Sequence, residues 1–134
     1  MASRDMLTRL AFRNAYDAAT VSDDGNTNGA IIDTQDYESV TFILRVGART
    51  DGDYSFNKLE HGDASNLSDA ADVPDGFILG DMDAVVDEAN SMHAVGYVGT
   101  KRYVRMVVNA AETTSGAHVS GVAVLGHARH APAS

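Results

Sequence analysis

Five histidines, His61, His93, His118, His127 and His130, are the side chains here best suited to acid–base or metal chemistry. His127 and His130 stand three apart, a spacing that suits a helix face, but they follow a strand pattern and enter a tail. A metal site built on them would need a carboxylate from elsewhere. No His-Glu-x-x-His motif and no Gly-x-Ser-x-Gly nucleophile elbow occurs. Asp51 with Asp53 and Asp81 with Asp83 are the residue type that hydrolytic carboxylate pairs use. Their surroundings are so acidic that close pairs arise without a catalytic reason: from Asp51 to Glu88 there are eleven acids and one base, Lys58. Gly96-Tyr97-Val98-Gly99-Thr100-Lys101 has the glycines of a phosphate loop but neither its spacing nor its Gly-Lys-Ser/Thr ending. A turn and a close packing point account for those glycines. Residues 22–29 are pure turn composition and lack both the spacing and the closing Glu of a calcium loop. The absence of cysteine removes disulfides, thiolate metal sites and cysteine nucleophiles together. The reading is therefore of a chain with no catalytic residues, no cofactor and no metal, and not an enzyme.

The elements that would position any site read as short strands. From Ser39 to Ala48, Val40, Phe42, Leu44 and Val46 fall on one face, and Thr41, Ile43, Arg45 and Gly47 on the other. Thr50-Asp51-Gly52-Asp53 is hairpin-type turn chemistry, and Tyr54, Phe56 and Lys58 alternate beyond it, so residues 39–61 are expected to form one hairpin. Gly29 to Asp33 is a short first strand. Residues 61–75 form a polar excursion, after which Phe77-Ile78-Leu79 re-enters the core. Residues 81–90 are compatible with a helical turn or a loose edge strand. Residues 94–99, 103–110 and 118–126 are further strands, with Val104, Met106 and Val108 on one face and Tyr103, Arg105 and Val107 on the other. About seven strands with turns between them, and no helix long enough for a parallel crossover, predict an all-β antiparallel sandwich or jelly roll.

The chain has 134 residues, of which 44% are hydrophobic. That supports one domain with a real core. The expected organisation is an N-terminal arm and loop (1–28), a β-sandwich (29–130) and a loose tail (131–134). In the arm, Leu7 and Leu10 have helical spacing, and Leu7, Leu10, Phe12 and Tyr16 would be an odd set to leave in water. The arm is therefore expected to form a short helix or to dock on its own domain, a sister subunit or a larger partner. The first thirteen residues mix Arg4, Asp5, Arg9 and Arg13 with their apolar residues and form no signal-peptide core, and no apolar run approaches a membrane span, so synthesis in the cytoplasm and no membrane partner are expected. A formal net charge of -9 argues against a nucleic-acid partner. Lys101, Arg102 and Arg105 are locally basic. They could meet an acidic partner surface or pair with acids of their own chain.

Three stretches together resemble one family: Asp36-Tyr37-Glu38-Ser39-Val40-Thr41-Phe42, Gly96-Tyr97-Val98-Gly99-Thr100-Lys101-Arg102-Tyr103-Val104-Arg105, and Val122-Ala123-Val124-Leu125-Gly126-His127-Ala128-Arg129. In order and spacing they are similar to small capsid decoration (cement) proteins of siphovirus-like tailed bacteriophages, over roughly residues 30–130. The resemblance implies a β-sandwich on the virion surface that bridges major capsid protein subunits, often as a homotrimer. Relatives tend to have Pro where Ala128 stands and Trp near residues 62–68, where this chain has none. Other readings are a head–tail joining or tail-tube subunit, and a carbohydrate-binding virion module with Tyr54 and Tyr97 as its best aromatics.

Overall fold

A computed structural model describes residues 10–128 of the chain. Ten strands build two antiparallel sheets packed face to face: β1 (Ala11–Val21), β2 (Gly25–Asn28), β3 (Ile32–Asp33), β4 (Tyr37–Arg49), β5 (Asp53–Gly62), β6 (Ala71–Asp72), β7 (Ile78–Leu79), β8 (Ser91–Tyr97), β9 (Tyr103–Ala111) and β10 (Ala117–Ala128). Sheet A runs β1-β10-β4-β8-β7, and sheet B runs β2-β9-β5-β6 with β3 also on β9. The expected all-β sandwich is what the chain forms. Among the described residues no helix is long and apolar enough to cross a membrane.

The core lies between the sheets. Sheet A contributes Val40, Phe42, Leu44 and Val46 from β4, Val119, Ala123 and Leu125 from β10, and Val95 and Tyr97 from β8. Sheet B answers with Val104, Met106, Val108 and Ala110 from β9, and Tyr54, Phe56 and Leu59 from β5. Each such large apolar side chain contributes about 1.5–3 kcal/mol of burial free energy. On β5 the inward set shifts phase after Phe56, because a bulge leaves Asn57 without a partner between Phe56↔Val108 and Lys58↔Val107. Leu59 thereby joins the core and Lys58 turns outward.

The expected hairpin over 39–61 does not form: β4 pairs with β10 and β8 in sheet A, while β5 pairs with β9 in sheet B. The turn is an arch between sheets. Gly52 takes φ +104°, and the ring of Tyr54 occupies the space a Cβ there would need. The Asp51 carboxylate accepts the N–H groups of Thr114, Ser115 and Gly116 at 2.9, 3.1 and 2.7 Å, which ties this arch to the β9–β10 arch beside it. Two strands that each carry a full apolar face are better buried against each other than side by side.

In the N-terminal region the helix does not form, and of the expected dockings residues 11–21 take the one on their own domain. Residues 11–21 are no helix and no free arm but the edge strand of sheet A, paired along β10 from Ala11↔Leu125 to Val21↔Ala117. Register shifts at Asn14/Tyr16 and at Tyr16/Ala19 break the period-two pattern, so its buried residues are Ala11, Ala15 and Tyr16. The turn-like residues 25–28 form β2, every side chain of it exposed. The sandwich thus begins by Ala11 rather than at residue 29, and the first strand expected over 29–33 shrinks to Ile32–Asp33. Of Phe77, Ile78 and Leu79, only Ile78 packs on the core. Residues 81–90 form neither helix nor strand, but Val86 is buried by a two-way backbone bridge to Tyr54.

Candidate protein-docking surface

The groups that could do chemistry are held in structural roles. His61 is buried, with Nδ1 2.9 Å from the Tyr97 hydroxyl. That hydroxyl also accepts the Lys101 N–H at 3.1 Å. His93 Nε2 donates to the Asp81 carbonyl at 2.6 Å, and its ring meets Phe56 edge-on. His118 faces Thr20. Asp51 is the arch clasp, Asp53 pairs with Arg49, and Asp81 accepts the Asp83 N–H. Among the described residues no three His, Asp or Glu gather as a metal site would require. His130 lies outside the described residues, as does the His127 side chain. Gly99 is a packing point, as expected: a Cβ there would run into the ring of Tyr97.

Burial, and secondarily the Lys101 charge, holds His61 below the ordinary histidine range. The unfolded chain therefore takes up this proton first, and acid favours unfolding. The contribution of neutral His61 is complete above about pH 6.5 and is lost as pH falls below it towards the lowered folded value. Thermal unfolding followed from pH 7 to pH 5 is expected to show a falling Tm. His61→Gln, which cannot charge, is expected to flatten that slope, and an unchanged slope would remove His61 as its source.

The basic strip is neutralised within its own chain. Arg102 makes a bidentate pair with Asp33, 2.8 Å to each oxygen, adds Gln35 at 2.6 Å and lies over the Tyr103 ring. Lys101 reaches Asp63 at 3.0 Å. Arg105 holds Glu60 at 2.7 Å, Glu60 meets Lys58 at 3.4 Å, and Lys58 meets Asp72 at 3.0 Å. The last four side chains form a run of ion pairs across β9, β5 and β6 of sheet B. Lys101, Arg102 and Arg105, read from sequence as a possible partner contact, are thus already matched. Of the apolar arm set, Tyr16 belongs to the core, Phe12 is half exposed, Leu10 is half buried, and Leu7 lies outside the described residues. Tyr54 and Tyr97, the aromatics suggested for a sugar site, are both buried.

The outer face of sheet A is of another kind. Strand pairing sets its positions in rows: Phe12–Val124–Thr41–Gly96–Leu79, then Asn14–Val122–Ile43–Ala94, then Ser120–Arg45–Met92. At one end the Leu10 side chain covers Gly126, which is paired with Ser39. Val98 donates its N–H to the Phe77 carbonyl there. Phe12, Phe77, Leu79, Met92, Val98 and Val122 are each between 39% and 61% exposed. Apart from Val85, these are the exposed large apolar side chains of the described residues, and they gather on or beside this one face. At the usual strand spacing and rise the face measures roughly 19 by 20 Å, about 400 Å². That is the size of the largest apolar patch on a typical monomer, a patch that is often functional.

Sequence reasoning identified Phe12 and Leu10 as apolar residues in search of a partner but not Leu79, Met92, Val98 or Val122. No protein-family model and no curated protein sequence matches the chain. Among solved structures, the chain is similar to the SPBc2 prophage-derived protein YomS, with a TM-score of 0.48 and 14% identity over 86% of this chain and 92% of that one. It is also similar to a chain from Bacillus endospore appendages, described as a family of disulfide-linked pili, with a TM-score of 0.32 and 10% identity over 87% and 85% of the two chains. Likenesses this distant leave the function to be argued from the chain's own surfaces.

Proposed function

We propose that this chain is a structural virion subunit that decorates a phage capsid and cements it by bridging major capsid protein subunits, with no bond chemistry of its own. The observation that carries this reading is the apolar outer face of sheet A, set against a sheet B that carries a run of ion pairs. The three stretches that resemble cement proteins all reach sheet A: residues 37–42 open β4, Gly96 and Tyr97 end β8, and residues 122–128 run along β10. A patch of about 400 Å² is half of the roughly 800 Å² that each partner gives to a stable interface. One such contact is weak. Three presented by a homotrimer act together through effective concentration, which raises avidity by roughly 10²–10⁴ over a single site. The acidic remainder of the surface keeps the free subunit soluble and away from the packaged genome.

Co-assembly with the major capsid protein of the same phage tests this. Purified shells are expected to carry hundreds of copies of the chain, and sizing of the free protein is expected to give a trimer. A few dozen copies, or stacked rings, would assign it to the head–tail junction or tail instead. Shells with no bound copies would overturn the proposal.

A further inference from the structure

We infer that Arg45 is the specificity contact of the sheet A face, and that the surface docking there is an apolar protein surface presenting a carboxylate to Arg45 rather than a second copy of this chain. This rests on the docking reading above and names the chemistry of its partner.

Arg45 stands in the row Ser120–Arg45–Met92, on the third of five strands. It is exposed, and its guanidinium folds along β4 over Gly47, with Nη1 3.2 Å from where a Cβ at Gly47 would stand. Arg49, Lys58, Lys101, Arg102 and Arg105 each have an own-chain carboxylate within 4 Å. Arg45 has none among the described residues. In a chain with nineteen acids and ten Lys and Arg, a cation left without an acid is unusual, and this one stands in the end row of the patch, between Ser120 and Met92.

Docking over this patch removes water from Arg45. A buried guanidinium without a partner is strongly unfavourable, whereas one matched by a carboxylate fixes the register of the contact. The rows of the face carry no carboxylate that could serve. Asp17, on the edge strand, is bound by the Asn14 amide and lies two strands away, roughly 10 Å. Asp87 and Glu88 lie in the loop beside Met92, with no ion pair to Arg45. Two copies stacked through this face would set Arg45 against an apolar surface and bring two chains of net charge -9 together. A partner that supplies its own acid avoids both costs.

The test uses shells assembled from the major capsid protein, and measures binding of the full chain and of Arg45→Glu, Arg45→Met and Arg45→Lys. Arg45→Glu and Arg45→Met are expected to bind at least about thirtyfold more weakly, the lower end of what truncating one member of a buried charge pair costs. Arg45→Lys is expected to retain most of the affinity. All three are expected to melt with the wild type, because the side chain is exposed. Wild-type binding with equal binding by Arg45→Glu and Arg45→Met would overturn the inference and leave the docking reading standing. No binding by the wild type would remove both. A wild-type face-to-face dimer that Val122→Glu dissociates would identify a second copy as the occupant and overturn the inference as well.

Discussion

Tyr54→Ala is expected to cost about 3–5 kcal/mol, the range for deleting a fully buried aromatic side chain. Tyr54 has no exposed surface and sits where the β4–β5 arch enters sheet B. Its ring fills the space beneath Gly52. Its hydroxyl donates to the Val21 carbonyl at 2.6 Å, joining sheet B to the end of the edge strand of sheet A. Its backbone exchanges two hydrogen bonds with Val86, at 3.1 and 2.7 Å, which hold the long acidic loop against the body. The substitution therefore opens a cavity at the place where three separate segments meet. Set against a typical domain stability of about 5–15 kcal/mol, the loss is a large share of the whole. Urea unfolding followed by circular dichroism measures it. Tyr54→Phe keeps the ring and leaves the Val21 carbonyl without its donor, so it is expected to cost about 1–3 kcal/mol. A Tyr54→Ala midpoint close to that of the wild type would show that the arch is not held from this point.

The same region shows what was legible in the sequence and what was not. β4 and β10 announce themselves, because each buries alternate residues without interruption over its middle and the alternation can be counted; β9 shows the same alternation in its residue types, although Val107 on its other face is buried too. β1 does not, because two bulges shift its phase and leave Ala11, Ala15 and Tyr16 as an irregular buried set. β2 has no buried side chain and so no pattern to read. The arch after β4 reads as a hairpin in the sequence for a different reason. Asp51-Gly52 satisfies the local demands of either connection, and the choice is made by remote groups, the Thr114, Ser115 and Gly116 amides. The candidate surface follows the same logic. Lys101, Arg102 and Arg105 look like a patch because they are neighbours in the chain, yet their partners Asp63, Asp33 and Glu60 come from far away. Phe12, Leu79, Met92 and Val122 look unrelated until strand pairing sets them side by side.

That pairing gives the second large expected effect. The double variant Val122→Glu, Met92→Glu is expected to lower binding to shells of the major capsid protein at least about a hundredfold while leaving the fold intact. Docking would bury each of these side chains, and each is worth about 1.5–3 kcal/mol when fully withdrawn from water. Since 39% and 61% of them remain exposed, docking withdraws about one side chain's worth of surface in all, so forfeiting both removes about 1.5–3 kcal/mol, roughly ten- to a hundredfold. The two new carboxylates would then have to be desolvated as well, which adds to the loss. Stability is a separate matter. Val122 and Met92 are 39% and 61% exposed, and substitutions at such positions usually move stability by no more than about 0.5 kcal/mol. Lost binding with an unchanged melt therefore reports the surface and not the core. Asn57→Glu supplies the comparison, since Asn57 is the exposed bulge residue on the opposite sheet. It adds one carboxylate, against two in the double variant, to the sheet that carries the Arg105–Glu60–Lys58–Asp72 ion pairs, and it is expected to bind shells as the wild type does. The reverse result, full binding by the double variant and loss in Asn57→Glu, would move the docking surface to sheet B and leave the apolar face of sheet A without a role in shell binding.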